Sequence, residues 1–161
     1  MGSRGARTIY RYRQSTPWGA GLGVAIVALL WGIALWSAVS NDQLGAILFR
    51  IAVAGTLLVL FLALTFSSMT IIVNDREIVW WFGVGFPRGR FKLDQLLDAT
   101  ATRTSILEGW GIHLTSRGWL WNLRGLNAVR LRGAHRVVLL GTDRPQELLD
   151  AVARARWTSV A

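Results

Sequence analysis

Few residues in this sequence have the types and the spacing that catalysis or metal binding requires. The chain contains no cysteine, which leaves no thiol nucleophile, no zinc–thiolate site and no disulfide. Its two histidines, His113 and His135, lie 22 positions apart, which is not a metal-ligand spacing. Asp94 and Asp98 are four positions apart, but Asp94 is expected to help form a turn. We therefore predict a protein that is not an enzyme and has no catalytic residue, metal site or cofactor.

Tryptophan and arginine are interleaved in one stretch, GWGIHLTSRGWLWNLRGLNAVRLR, at residues 109–132. This composition could stack on nucleobases and hold phosphates, lie among lipid headgroups, or close a small barrel. Trp119 and Trp121 lie two positions apart, so they share one face of a predicted strand. We expect them to fill the barrel or its mouth, and contact with lipid headgroups or with a partner protein is the alternative.

The composition is more apolar than that of a soluble domain of this size. The chain has 161 residues, of which 52% are hydrophobic and only 17% are charged. This length allows one ordinary domain and little else. The apolar excess lies in two blocks near the N-terminus, so these blocks, and not the whole chain, depart from the usual composition.

The two apolar blocks predict a transmembrane helical hairpin at residues 18–66. The first, WGAGLGVAIVALLWGIALWSAV, has 22 residues without a charge. A helix of that length reaches about 33 Å, which is enough to cross a hydrocarbon core of about 30 Å. The second block, residues 44–66, is interrupted only by Arg50, and the short link SNDQ makes the two spans antiparallel neighbours. A cleavable signal peptide is the rival interpretation of the first block, which is longer than such apolar regions usually are.

Arginine sets the predicted orientation of the hairpin. Residues 1–17, predicted to be a basic tail, carry four arginines and no acid, whereas the SNDQ link carries Asp42 and no basic residue. The positive-inside rule then puts both termini in the cytoplasm. The residues expected in the tail and at the inner membrane interface are Arg4, Arg7, Tyr10, Arg11, Tyr12, Arg13 and Trp18.

Arg50 is the unusual residue of the predicted spans. Its guanidinium could reach the outer headgroups along its own long side chain, or it could pair with a partner subunit or a bound lipid. Trp31 and Trp36 lie in the first span. We predict intramembrane contacts to a partner or to lipid at Arg50, Trp31 and Trp36.

From residue 69 onward the pattern changes to short apolar runs separated by turn residues. TIIVN and EIVWWF flank Asp75-Arg76 as in a tight hairpin, and GVGFPRGRFKL is expected to be a turn-rich link into a strand. About seven strands at roughly ten-residue spacing predict a small barrel or sandwich. The last segment, GTDRPQELLDAVARARW, predicts one amphipathic helix with an apolar stripe at Leu148, Val152 and Ala155.

Seven antiparallel strands followed by a helix resemble a PH-type fold, and several short motifs strengthen the likeness. These are GWGI at 109–112, RGWLWN at 117–122, GL at 125–126, AV at 128–129, and GTD at 141–143 with Pro145. They resemble a family of small bacterial membrane proteins in which a transmembrane hairpin precedes a bacterial PH-like domain. The likeness covers about residues 70–156. It implies a membrane α-helical hairpin plus an α+β PH-like domain at 70–161, in a bacterial inner membrane, and it implies no particular activity.

The positive charge of the chain does not predict nucleic-acid binding. The net charge is +9, but four arginines are in the tail and one is in a span. Residues 70–161 have 13 basic and 8 acidic residues, a difference of +5. An anionic inner leaflet is a sufficient reason for basic residues beside a membrane, and no recognition motif for bases is present.

The predicted function is that of a non-enzymatic, membrane-anchored PH-like accessory subunit that binds and stabilises a larger membrane protein complex. Other integral membrane subunits and lipids would be its partners, and an energy-converting complex, respiratory or photosynthetic, is one host that fits. The alternative is a stand-alone module that binds or senses anionic lipid. The best-known PH domains hold phosphates with several basic residues on a long first hairpin loop, whereas here that turn is only Asp75-Arg76 with Glu77 beside it. The residues of the predicted partner or headgroup surface are Arg88, Arg90, Lys92, Trp119 and Trp121.

Overall fold

The computed structural model describes residues 7–16, 18–40, 42–105 and 111–160. The chain divides into two compact units. One is the helix unit, Thr16–Ser67, and the other is the head, which combines the chain up to Ser15 with the chain from Ser68 onward. The described residues form three α-helices and two β-sheets, a mixed α+β architecture as the sequence predicts.

The helix unit consists of α1 (Trp18–Ser40) and α2 (Asp42–Phe66), which match the two apolar blocks. Among the described residues, one helix, Gln43–Phe66, is long and apolar enough to cross a membrane, with a mean hydropathy of 2.5. The described apolar part of α1, Gly23–Val39, is shorter. A second span therefore stays a prediction.

Small residues bring α1 and α2 into close contact. A Cβ added to Gly45 would lie 2.7 Å from the Cα of Ala38, so the two backbones nearly touch there. Gly55 lies beneath Leu30, and Gly23 lies against Val59. Residues late in α2 contact residues early in α1, so the two helices run antiparallel. Ala34 and Ala52 are buried in the same contact, which is the packing that small residues allow in membrane helices.

One sheet of the head contains β1 (Thr8–Ser15), β2 (Ser68–Asn74), β3 (Glu77–Phe82) and β4 (Arg88–Lys92), in that order and antiparallel throughout. A 3-10 turn at Leu93–Gln95 leads to the second sheet. Its strands are β5 (Leu96–Arg103), β6 (Gly111–Thr115), β7 (Gly118–Asn122), β8 (Asn127–Gly133) and β9 (Val137–Gly141), in the order β5-β8-β9-β7-β6. The chain continues into α3 (Pro145–Val160).

Residues 8–15 differ from the prediction of a basic tail, because they form strand β1. Tyr12 pairs with Ile71, and Ser15 pairs with Ser68. In the segment TIYRYRQS, Tyr10 and Tyr12 alternate with Arg11 and Arg13, which is the period of a strand, and tyrosine favours strands. The head therefore does not begin at residue 70: it begins with β1, and the helix unit is inserted between β1 and β2.

The core of the head lies between the sheets and under α3. Its largest fully buried side chains include Trp80, Phe82, Phe91 and Met69. The predicted stripe of α3 is buried, with Leu148, Val152 and Ala155 at 0–2% exposure. The helix packs against β1, β2, β5 and β8, so it covers both sheets.

The head has two ends, and the surfaces described below lie at one or the other of them. The joining end is where the chain leaves β1 at Ser15 and returns at Ser68. The turn after β3 lies at this end, since Gly83 donates its N–H to the carbonyl of Ser68 at 2.8 Å. The far end carries the hairpin turn after β2, and the turn between β8 and β9 also lies there, since Gly133 pairs with Leu96 just beyond the end of β4. β7 and β9 run parallel, so the turn before β7 also lies at the far end.

Candidate functional site

The basic residues Arg88, Arg90 and Lys92 form a row along β4, the last strand of its sheet. All three are exposed, and they alternate with half-buried Gly89 and buried Phe91. They therefore share one outer face, as their spacing predicts. The row is about 13 Å long at 3.3 Å per residue. Arg88 is at its joining end, whereas Lys92, which pairs with Glu77, is at its far end.

Trp119 and Trp121, the two tryptophans of the predicted partner or headgroup surface, have different environments. The Trp121 ring stacks on Phe82 at a centroid distance of 6.1 Å and meets Trp80 edge-on at 5.6 Å. It therefore joins the second sheet to the first, and its side chain is half-buried there. Trp119 is 49% exposed and pairs with exposed Leu114 on β6. Of the two, Trp119 is the residue that a partner could reach.

The residues predicted at the inner membrane interface lie mostly on β1. The Arg13 guanidinium donates to Ser68 Oγ at 3.0 Å, and the Arg144 guanidinium lies 4.8 Å from the centre of the Tyr12 ring. Arg7 and Arg11 are exposed. Arg4 lies outside the described residues, and Trp18 begins α1 without a described side chain. Tyr10 and Tyr12 thus belong to the head, near the start of α3, and not to a tail.

Ionisation around β1 shows how closely it is packed against α3. Burial and, as a smaller cause, the carboxylate of Glu147 together raise the pKa of Tyr10 to about 12. Burial and a hydrogen bond with Asp143 raise the pKa of Tyr12. Burial alone would raise the pKa of Asp143, but hydrogen bonds from Tyr12 and Arg124 hold it below its usual value. An unstructured tail would not perturb these groups in this way.

The helix unit holds the three residues predicted for intramembrane contacts. The Trp31 indole donates to Thr56 Oγ1 at 3.0 Å and meets Phe49 edge-on at 5.5 Å, so it contacts α2 within the chain. Trp36 is 79% exposed, and Arg50 is also exposed. At 100° per residue, Arg50 lies about 160° around α2 from the buried Ala52. Its side of α2 therefore faces away from α1.

An open cleft at the far end brings together basic residues that the sequence analysis did not assign to any site. It has a volume of about 600 Å³, and its lining includes Arg117, Arg132, His135 and Arg136 but, among the described residues, no acid. Arg117 donates to the carbonyl of Arg103 at 3.0 Å. Arg136 donates to the carbonyl of Arg90 at 2.7 Å. Only the pairing of β7 with β9 joins these turns, so no local signal in the sequence marks the cleft.

The polar residues considered for catalysis do not assemble in the structure. Asp98 pairs with Arg130 at 3.8 Å, and Asp94 is exposed in the 3-10 turn. His113 is half-buried on β6 and His135 is exposed in the far-end cleft. Within the described ranges, no group of three histidine, aspartate or glutamate side chains could hold a metal ion. Comparison of the chain with family models, with characterised proteins and with solved structures finds no match.

Proposed function

We propose that this chain is a membrane-anchored accessory subunit of a larger membrane protein complex. In this proposal α1 and α2 form a two-pass hairpin in a bacterial inner membrane, and the PH-like head and both termini are cytoplasmic. The subunit acts by binding and not by catalysis. Its partners are other integral membrane subunits and the surrounding lipid.

The outward faces of the helix unit are the observation that carries this proposal. Small residues occupy the contact between the helices, while large apolar side chains point outward. More than half of the surface of each of these is exposed: Leu29, Leu35, Trp36, Val39, Leu57, Leu58 and Phe61. An apolar surface of this extent marks a membrane or protein contact. Helices satisfy their own backbone hydrogen bonds, as lipid requires.

Arg50 favours a protein partner over lipid alone. It lies eight residues after the start of α2, or about 12 Å along the helix axis. A charge at that depth is costly unless it reaches headgroups or pairs with an acid. Leu57 and Phe61 lie on the same side of the helix as Arg50, so this side combines one cation with apolar bulk. We propose that it binds a partner helix that carries a carboxylate.

The PH-like arrangement is supported by two packed sheets with one C-terminal helix across both. β1 completes the first sheet, which gives it four strands. Two features depart from the seven antiparallel strands that the resemblance implies. The two sheets together have nine described strands, and β7 pairs with β9 in parallel.

Native gel electrophoresis after solubilisation in a gentle detergent tests the subunit role. We expect the chain to migrate with other membrane proteins, and Arg50→Leu to shift much of it to the free form. Arg76→Leu, which removes an exposed cation from the head, is the matched control and should leave migration unchanged. Migration of the unaltered chain as a free monomer in every mild detergent would refute the proposal.

A stand-alone lipid-binding module is the second candidate, and the outward row Arg88, Arg90 and Lys92 favours it. A suitable soluble head would join Ser15 to Ser68 through an Asn-Gly turn, because those two residues are strand partners. A head cut at residue 70 would lack β1. Flotation that requires anionic lipid and weakens with salt would support this candidate. A folded joined head that ignores anionic vesicles would eliminate it.

A further inference from the structure

The turn between β3 and β4, GVGFP at residues 83–87, carries apolar side chains where turns usually carry polar ones. Val84 is 86% exposed and Phe86 is 70% exposed. Both therefore point away from the core of the head. Exposed apolar residues that lie singly need no explanation, but here two occupy one short turn.

Backbone geometry holds these two side chains outward. The N–H of Phe82 donates to the carbonyl of Pro87 at 3.0 Å, and the N–H of Gly85 donates to the carbonyl of Phe82 at 2.9 Å. Gly83 has φ 47° and Gly85 has φ 119°, which are values that favour glycine. The turn is thus a defined structure that presents Val84 and Phe86.

The position of the turn on the head indicates what covers it. Gly83 donates its N–H to Ser68, at the joining end of the head. Ser68 follows Phe66, the last residue of α2, by two positions. Two residues of chain span at most about 7 Å. The apolar turn is therefore tied to the place where the chain emerges from an apolar helix.

The neighbours of the turn suit a lipid interface. Arg88 follows it at the joining end of the basic row, and half-buried Trp81 is the strand partner of Arg88. Tryptophan and arginine are both favoured at the boundary between acyl chains and headgroups. The far-end cleft, which also carries basic residues, lies at the opposite end of the head from this turn.

We infer that Val84 and Phe86 insert into the headgroup–acyl boundary of the bilayer that holds the helices, with Arg88 beside the lipid phosphates. The turn is then a second, shallow membrane contact that fixes the head against the bilayer surface. This inference rests on the proposed membrane anchoring but needs no partner subunit.

Because the chain has no cysteine, a single probe can be placed without other changes. Val84→Cys and Phe86→Cys would each be labelled with an environment-sensitive fluorophore in the full-length chain. The labelled chain would be reconstituted in phosphatidylcholine vesicles, with and without phosphatidylglycerol. Ala134→Cys, at an exposed position of the far end, is the matched control.

We expect blue-shifted emission at positions 84 and 86, with several-fold stronger quenching by lipids that carry a nitroxide on the acyl chain than at position 134. Emission at 84 and 86 as water-like as at 134 would overturn the inference. So would a blue shift that nitroxide lipids do not quench, since it would indicate a protein partner. Sedimentation with vesicles after an alkaline wash reports anchoring separately. A chain that is retained but has water-like probes refutes the turn contact alone, whereas a chain that is not retained refutes the anchoring as well.

Discussion

The side chain of Gln14 offers the most specific test that β1 belongs to the head. It is 2% exposed, and its Nε2 donates to the carbonyl of Gly141 at 2.9 Å, which links β1 to β9 in the other sheet. It also lies 3.6 Å from the sulfur of Met69. Gln14→Ala removes these contacts and leaves the backbone of β1 unchanged.

The expected cost follows from three contributions. Loss of the hydrogen bond leaves the buried Gly141 carbonyl without this donor, which costs about 2 kcal/mol. The lost methylene contact adds about 1 kcal/mol. Gln14 Oε1 is buried without a partner among the described residues, so its removal recovers about 1 kcal/mol. We expect Gln14→Ala to lower the free energy of unfolding of the head by about 2 kcal/mol.

Urea unfolding of the full-length chain in mild detergent, followed by near-ultraviolet circular dichroism, would measure this change. Arg11→Ala is the matched control, since Arg11 lies on the same strand but is exposed. It should change stability by less than about 0.5 kcal/mol. If Gln14→Ala is as mild as Arg11→Ala, β1 does not pack as described.

Two further predictions concern β1 and the helix unit. Tyr10 and Tyr12, the only tyrosines, should ionise above pH 10 in the folded chain, Tyr10 near pH 12, by tyrosinate absorbance. The folded state holds these protons more tightly, so their stabilising effect is complete below about pH 10 and is lost as pH rises toward about 12. Ordinary titration near pH 10 would contradict this packing. Gly45→Val should separate α1 from α2 in dodecyl sulfate, because its side chain would meet the Ala38 backbone, whereas Gly32→Val, with open space around it, should not. If α1 and α2 separated to the same extent in the two variants, the helix contact at Gly45 would be contradicted.

Local patterns in the sequence predicted the helices and much of the head. The apolar blocks match α1 and α2, because an uninterrupted apolar run is a strong local signal. The stripe at Leu148, Val152 and Ala155 matches the buried face of α3, because helical periodicity does not depend on distant partners. Thr142 lies three positions before Pro145, the first residue of α3, and its side chain is buried.

Features that depend on distant pairing were not predictable in the same way. The strand partner of Ser15 is Ser68, which lies beyond the whole helix unit. Because this pairing is not visible locally, the positive charge of the segment suggested a tail instead of a strand. Likewise, Arg117 and Arg136 belong to separate turns, and only the parallel pairing of β7 with β9 brings them to one cleft. Trp119 and Trp121 share a face by periodicity, but only the packing of the two sheets decides that Trp121 contacts the first sheet while Trp119 stays exposed.

Labelling in intact bacterial cells gives the most direct test of the membrane-anchored arrangement. Gln43→Cys, near the start of α2, and Ala134→Cys, in the head, would each provide one reactive thiol in a chain that otherwise has none. A membrane-impermeant maleimide should label position 43 in intact cells and position 134 only after lysis. Labelling of position 134 in intact cells would contradict a cytoplasmic head, and loss of the chain from membranes in an alkaline wash would contradict the anchor itself.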